Sequence, residues 1–220
     1  NGGTFTVNTG RGVATFWKYM DSFPANAPLL LYNGSAAWEK GQLTQLRPID
    51  LDVWTVMAEV RQQFPEMNLE IQGEKIHYLI DAKPDILALY DNLGWKYTCA
   101  QWGQDVGVFL KFALFGTVRK PVVADMYAYS QAESRRFDEA EAWLRDRYGE
   151  KVEVFRAAPR IIDVHAKGTS KLAGARDLQK RLGKKILVCV GDGENDIPML
   201  SGADYAFCPA DGIVADRYPN

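Results

Sequence analysis

The sequence predicts an α/β protein. A parallel-sheet core domain is built from both ends of the chain, 1–36 and 166–220, with a second α/β domain inserted at 37–165. Three observations carry this reading. PLLLYNG at 28–34 and ILVCVGD at 186–192 are continuous apolar runs of the kind found in strands buried on both faces. Stretches with helical spacing lie beside them, giving the strand–helix–strand unit of a parallel sheet. Between the two ends the texture changes to helix–strand–strand, ending in adjacent strands, as in an open-faced and largely antiparallel sheet.

Taken in order, TFTVNTG at 4–10 reads as a short strand closed by a glycine turn, followed by a helix across 11–23 with Val13, Phe16, Trp17, Met20 and Phe23 on one face. PLLLYNG is the next strand. Asp50 caps a helix carrying Val53, Val56, Met57, Val60 and Phe64. NLEIQGEKIHYLI at 68–80 forms two strands around a glycine turn, and PDILALYDNLG at 84–94 is a helix stopped by Gly94. VGVFLKFALFG is a strong strand, residues 133–148 form a helix, and KVEVFRA with RIIDVHA closes the insertion as a strand pair. Thr169 or Ser170 then caps a helix bearing Leu172, Ala175, Leu178 and Leu182. After it come the strand KKILVCVGD, the short helix NDIPMLSGA and the strand YAFCP.

Composition narrows the function. The 220 residues are 47% hydrophobic and 25% charged with a net charge of -2, and the two signs are interspersed. Nothing in that pattern draws the chain to nucleic acid or to an anionic membrane. No apolar run reaches the roughly 20 residues that span a bilayer, and the start lacks the regions of a signal peptide. The three cysteines are widely spaced, and two lie within apolar runs, so they read as small buried hydrophobes of a reducing cytoplasm. His77 and His165 have no ligand spacing and read as structural. The insertion's tryptophans, Trp54, Trp95, Trp102 and Trp143, fit core or domain interface better than a ligand cage.

The chemistry gathers at the predicted strand ends, where open parallel sheets bind ligands. There stand Thr9 and Gly10, Asn33 and Gly34, and the turn Asp192–Asp196, with Lys171 opening the helix before that strand. Oxygen ligands without His or Cys favour Mg²⁺ over zinc. A lysine, a hydroxyl and glycine-freed amides suit a phosphate. The plainer alternative for GDGEND is a strand-to-helix turn in which Gly193 supplies positive φ and Asn195 or Asp196 caps the helix. Three acids in five residues exceed what capping needs.

VNTGR, YNGS, GTSK and GDGENDIPML, in that order and with a long insertion after the second, resemble the haloacid dehalogenase superfamily, nearest its sugar-phosphatase-like members with an α/β cap. The resemblance implies a Rossmann-like core and a Mg²⁺-dependent phosphatase of small phosphorylated metabolites. Thr9 and Gly10 would bind the phosphoryl group and Lys171 neutralise it. Asp192 would ligate Mg²⁺ with support from Asp196, and Asn195 would contact the phosphate region. Asn33 and Arg11 would line the substrate entrance.

The sequence departs from the family at its start. Members open with a central Asp-x-Asp strand whose first Asp attacks phosphorus and whose second is the acid/base, and no Asp-x-Asp precedes Thr9. Asp50 to Asp52 opens a helix of the insertion and is no substitute. The chain begins with Asn1 and reads as entered partway through, and the first, central strand of the sheet is expected to be missing from it. Without that carboxylate no aspartyl-phosphate forms. A phosphate- or metabolite-binding protein without turnover is therefore the alternative, and a phosphomutase on the same scaffold a third reading.

Overall fold

The computed structural model describes residues 2–118, 130–212 and 214–218. The chain forms two compact units, one of residues 1–11, 19–46 and 168–220, the other of 12–18 and 47–167. Among the described residues the α-helices, in the order of the chain, are α1 (Val13–Phe16), α2 (Val53–Gln63), α3 (Pro84–Leu93), α4 (Gln131–Tyr148), α5 (Lys171–Arg181) and α6 (Ile197–Ser201).

The larger unit is built on a six-stranded sheet of β4 (Asn68–Gly73), β5 (His77–Ile80), β6 (Tyr97–Ala100), β7 (Phe109–Phe115), β8 (Val152–Ala158) and β9 (Ile161–Ala166). Their order is β6-β5-β4-β7-β9-β8, and every pair is antiparallel except β5 with β6. Side chains alternate across the sheet. Leu69, Ile71, Phe112, Leu114, Ile162 and Val164 share one face and pack with Val56, Met57 and Val60 of α2 and Phe137, Ala140 and Leu144 of α4. Truncating one of the larger of these to Ala costs about 3–5 kcal/mol.

The opposite face is polar and nevertheless buried. Glu70 accepts hydrogen bonds from the Tyr90 hydroxyl and the Gln72 amide and meets His77 Nδ1 at 3.0 Å, while Lys111 donates to Asp163 at 3.0 Å. Burial acts to raise the Glu70 carboxyl, but the His77 charge and hydrogen bond, with Lys111 and Tyr90, outweigh it and hold it at about 2. Burial, then the neighbouring Lys111 charge, pushes His165 well below the ordinary imidazole range.

Elements of this unit follow the sequence closely, with three differences, the first being the edge strand β6, which the sequence reading did not include. Asp52 rather than Asp50 caps α2, since its carboxylate reaches the Trp54 amide and the Thr55 hydroxyl. The helix expected across 11–23 is one turn, α1, continued by a 3₁₀ turn at Trp17–Tyr19. Its polar groups are taken by the end of α3: Lys96 N–H donates to Ala14 C=O, Trp17 Nε1 to Gly94 C=O and Lys18 Nζ to Leu93 C=O.

In the smaller unit β1 (Leu29–Leu31) pairs antiparallel with β2 (Ala36–Glu39), which pairs with β3 (Gln42–Thr44). β10 (Val188–Val190) pairs in parallel with β11 (Tyr205–Phe207). Leu30, Ala37, Ala175 and Leu178 form one apolar cluster, and Cys189, Met199, Leu200, Cys208 and Val214 another. Ser170 caps α5 by accepting from Ala173 N–H. That helix lies against the chain at Gly34: a Cβ on Gly174 would stand 2.7 Å from Gly34 Cα.

The parallel sheet expected here is reduced among the described residues. TFTVN is extended but joins β1 only through a parallel bridge of Asn8 with Leu30. The run expected to be buried on both faces has only Cys189 buried, with Ile186, Val188 and Val190 exposed at 60%, 56% and 64%. A strand buries both its faces only where the sheet is covered on each side, and among the described residues β10 pairs with β11 alone. No described helix is long and apolar enough to cross a membrane. All three cysteines are free, Cys189 and Cys208 buried and Cys99 exposed. Trp102 is exposed and rests against Trp54, their ring centroids 5.5 Å apart.

Candidate phosphate and metal site

Three segments of the smaller unit meet at the strand ends. The first is Thr9–Arg11, where Arg11 N–H donates to Thr9 Oγ1 at 3.2 Å. It is laced to the second segment by Asn33 N–H to Thr9 C=O at 2.9 Å and Tyr32 N–H to Arg11 C=O at 3.1 Å. Tyr32 and Asn33 both hold left-handed backbone, with φ of 53° and 55°. Two successive non-glycine residues there cost of order 1–3 kcal/mol each, which marks a segment held by its surroundings. Gly10 is a close-approach glycine: a Cβ on it would lie 2.9 Å from Asn33 Oδ1.

The third segment joins the start of α5 to the turn after β10. Lys171 Nζ donates to Asp196 Oδ1 at 2.6 Å, and the two residues are 8% and 5% exposed. The other Asp196 oxygen accepts from the backbone N–H groups of Asp192 and Gly193, each at 3.2 Å. Asp196 thus ties the turn together and neutralises Lys171 at once. The glycines are there for space. A Cβ on Gly191 would stand 2.6 Å from Asp196 Cβ, and one on Gly193 would stand 3.0 Å from Asn195 Oδ1. Neither has positive φ, so Gly193 is not the left-handed residue of a plain turn.

Asn8 connects the segments. Its Nδ2 donates to Lys171 C=O at 2.8 Å, fixing the start of α5 against the end of the first extended segment. Sequence reasoning passed over Asn8; its only signal was an amide closing an apolar run. Two buried oxygens in this neighbourhood, Asn8 Oδ1 and Thr169 Oγ1, have no hydrogen-bond partner among the described residues.

The structure brings Thr9, Gly10 and Asn33 together, and Lys171, Asp192, Asn195 and Asp196 together, with Asn8 as the link. Arg11 is exposed, its guanidinium 5.7 Å from the Tyr19 ring centre. For a hard cation the donor set is of the right chemistry but short. Asp192 is exposed, with no side-chain partner among the described residues, whereas both Asp196 oxygens are engaged. No described group of three or more Asp, Glu, His or Cys side chains is gathered tightly enough to hold a metal by itself. Mg²⁺ commonly keeps several waters and takes one or two carboxylates, so Asp192 with waters resting on Asp196 satisfies its minimum.

A model of the haloacid dehalogenase-like hydrolase family matches residues 1–214. The chain belongs to that family. Solved structures agree on the fold. A protein of Eubacterium rectale matches with a TM-score of 0.75 at 19% identity, covering 99% of this chain and 79% of its own. A haloacid dehalogenase-like hydrolase from Bacteroides thetaiotaomicron matches with 0.71 at 16%, covering 94% and 75%. A sugar phosphatase of subclass IIB of the superfamily matches with 0.68 at 18%, covering 97% and 84%. No curated protein matches. At these identities the solved structures establish the α/β architecture of a haloacid dehalogenase-like hydrolase and nothing narrower.

Proposed function

We propose that this chain carries the phosphate- and metal-binding half of a Mg²⁺-dependent phosphatase acting on small phosphorylated metabolites, of which sugar phosphates are the first class to try. The observation that carries the proposal is the buried Lys171–Asp196 pair, tied through Asn8 to the Thr9–Arg11 turn. Thr9 Oγ1 and the nearby backbone amides bind phosphoryl oxygens, and Lys171 supplies a fixed positive charge that strengthens as a phosphoryl group transfers. Asn195 holds the turn and borders the anion, while Asn33 and Arg11 face the entering metabolite. Asp192 is the residue that would hold Mg²⁺, which supplies charge neutralisation and orients the phosphate. Residues 47–167 act as the cap that selects the leaving group, and the cytoplasm is the compartment this chemistry suits.

By resemblance the reaction proceeds through an aspartyl-phosphate. Asp196 is not its carboxylate, because three donors already hold it. That observation favours binding without turnover as the second reading. A panel of sugar phosphates and nucleotides separates the two when this chain, and the same chain extended by an upstream apolar strand ending in Asp-x-Asp, are both assayed with and without Mg²⁺ alongside calorimetric binding. Turnover by the extended chain that is lost on Thr9→Val and Lys171→Met supports the phosphatase. Micromolar binding with no turnover by either protein supports the binder, and finding neither turnover nor binding leaves the site without a role.

A further inference from the structure

The six-stranded sheet of the larger unit has two edges, β6 and β8, and they differ. β8 is blunted: its register slips between Arg156 and Ala158, and Glu153 and Arg156 put charge along it. β6 lacks such protection. Its residues Tyr97, Thr98, Cys99 and Ala100 include no charge, proline or bulge, and Cys99 is exposed. We infer that β6 is a self-pairing edge, through which two copies of this chain join antiparallel about a two-fold axis at Thr98.

The backbone sets that register. Lys96 C=O accepts from His77 N–H, and β5 runs parallel to β6 with Tyr78 beside Thr98. By alternation Thr98 and Ala100 turn their N–H and C=O groups to β5, while Tyr97 and Cys99 turn theirs outward. Among the described residues no strand pairs with that outer side. An antiparallel mate must offer the same spacing, two bonding residues flanking one that does not bond. β6 itself offers it. With the axis at Thr98, Tyr97 exchanges both bonds with the second copy's Cys99, and Cys99 with its Tyr97, so every outward group is paired. An axis at Tyr97 or at Cys99 would set Trp95 or Gln101 opposite the remaining residue. Both are already engaged, Trp95 N–H with Tyr90 C=O and Gln101 N–H with Gln104 Oε1.

The two ends of β6 complement each other. At its start Trp17 Nε1 donates to Gly94 C=O and Lys18 Nζ to Leu93 C=O, and the Lys96 ammonium stands 4.5 Å from the centre of the Trp17 ring. At its finish stands the exposed Trp102, whose Nε1 donates to the exposed Asp81 carboxylate at 3.2 Å. The axis brings the cationic end of each copy to the indole and carboxylate of the other. Arg61 already shares that carboxylate at 3.6 Å, so the larger attraction is between the ammonium groups and the Trp102 face. An unrelated strand could match the backbone but not both ends, which selects a second copy as the partner.

Sedimentation of the purified chain should show a reversible dimer with a Kd of roughly 10–100 µM, as suits a small interface. On concentration, exchange should slow at the amides of Tyr97 and Cys99, while Thr98 and Ala100, already bonded to β5, change little. Thr98→Cys in a Cys99→Ser background should form an intermolecular disulfide on mild oxidation, since residues facing across the axis are about 4.5 Å apart at Cα. In the parent the two Cys99 would be roughly 8 Å apart, beyond the reach of a disulfide, and should not link. Cys99→Pro removes an outward N–H and should abolish the dimer. Trp102→Ala, at an exposed position that the fold tolerates, should weaken it tenfold or more. A chain that stays monomeric to about 1 mM, far above that Kd, overturns the inference. So does a dimer that survives both Cys99→Pro and Trp102→Ala, or a disulfide that forms through Cys99 in the parent and not through Thr98→Cys. None of these readouts uses catalysis, so a failed phosphatase assay leaves them standing.

Discussion

Replacing Lys171 by Met removes the ammonium of the 2.6 Å bond to Asp196 but keeps most of the side chain's length and apolar stem. At that distance an effective dielectric of 20 gives a gross attraction of roughly 6 kcal/mol, which the desolvation of both ions largely opposes. The measurable loss is the cost of leaving Asp196 buried without its cation, about 3–5 kcal/mol when one partner of a buried pair is removed. The Asp192 and Gly193 amides still hold its second oxygen, which places the expectation at the lower end, near 3 kcal/mol. Because the chain has two units, the assay should report on one of them: native-state amide exchange across 168–200 against urea, with Asp196→Asn and the double variant completing a cycle. A coupling of about 2 kcal/mol or more is expected. If Lys171→Met leaves exchange free energies within about 0.5 kcal/mol of the parent, the pair does not hold this turn, and the site built on it fails.

Other outcomes follow from the same geometry. Asp192→Asn should abolish the Mg²⁺-dependent rise in melting temperature without lowering stability in the absence of metal, since Asp192 is exposed; an unchanged Mg²⁺ response removes it as a ligand. Gly174→Ala should cost at least about 1–3 kcal/mol, because its Cβ would stand 2.7 Å from backbone at Gly34, and a neutral result in urea melts would show that α5 can shift. His165 is held neutral when folded and protonates on unfolding below its ordinary 6.5, so the unfolded state binds the extra proton and stability falls as pH drops below that value. His165→Gln should therefore lose a slope of up to about 1.4 kcal/mol per pH unit between pH 6 and 5, with Asp163 common to both proteins, and an unchanged slope in urea midpoints against pH would contradict the assignment. Glu70, held at about 2, should stabilise the fold above its ordinary 4.5 and cease to as pH falls from there towards 2; Glu70→Gln should flatten that limb in the same melts.

Sequence by itself determined the class of fold, most elements of the larger unit and the chemical types at the site. Those signals are local. Period-two alternation in Leu69–Gln72 marks a sheet with unlike faces, Gly94 stops a helix in the left-handed region, and three acids among glycines ask for a cation or a cluster of donors. Tertiary structure decided what depends on partners far away in the chain. Asp192 and Asp196 look alike in sequence, yet one is exposed and the other saturated by Lys171 and two amides, because only the folded turn says which carboxylate faces inward. Asn8 meets Lys171 across 163 positions, a contact no spacing rule reaches. The apolar run at 186–190 was legible as a strand, but not that one edge and one face of it stand open. Burial belongs to a sheet and its neighbours, and a strand's own residues fix only its readiness to be buried.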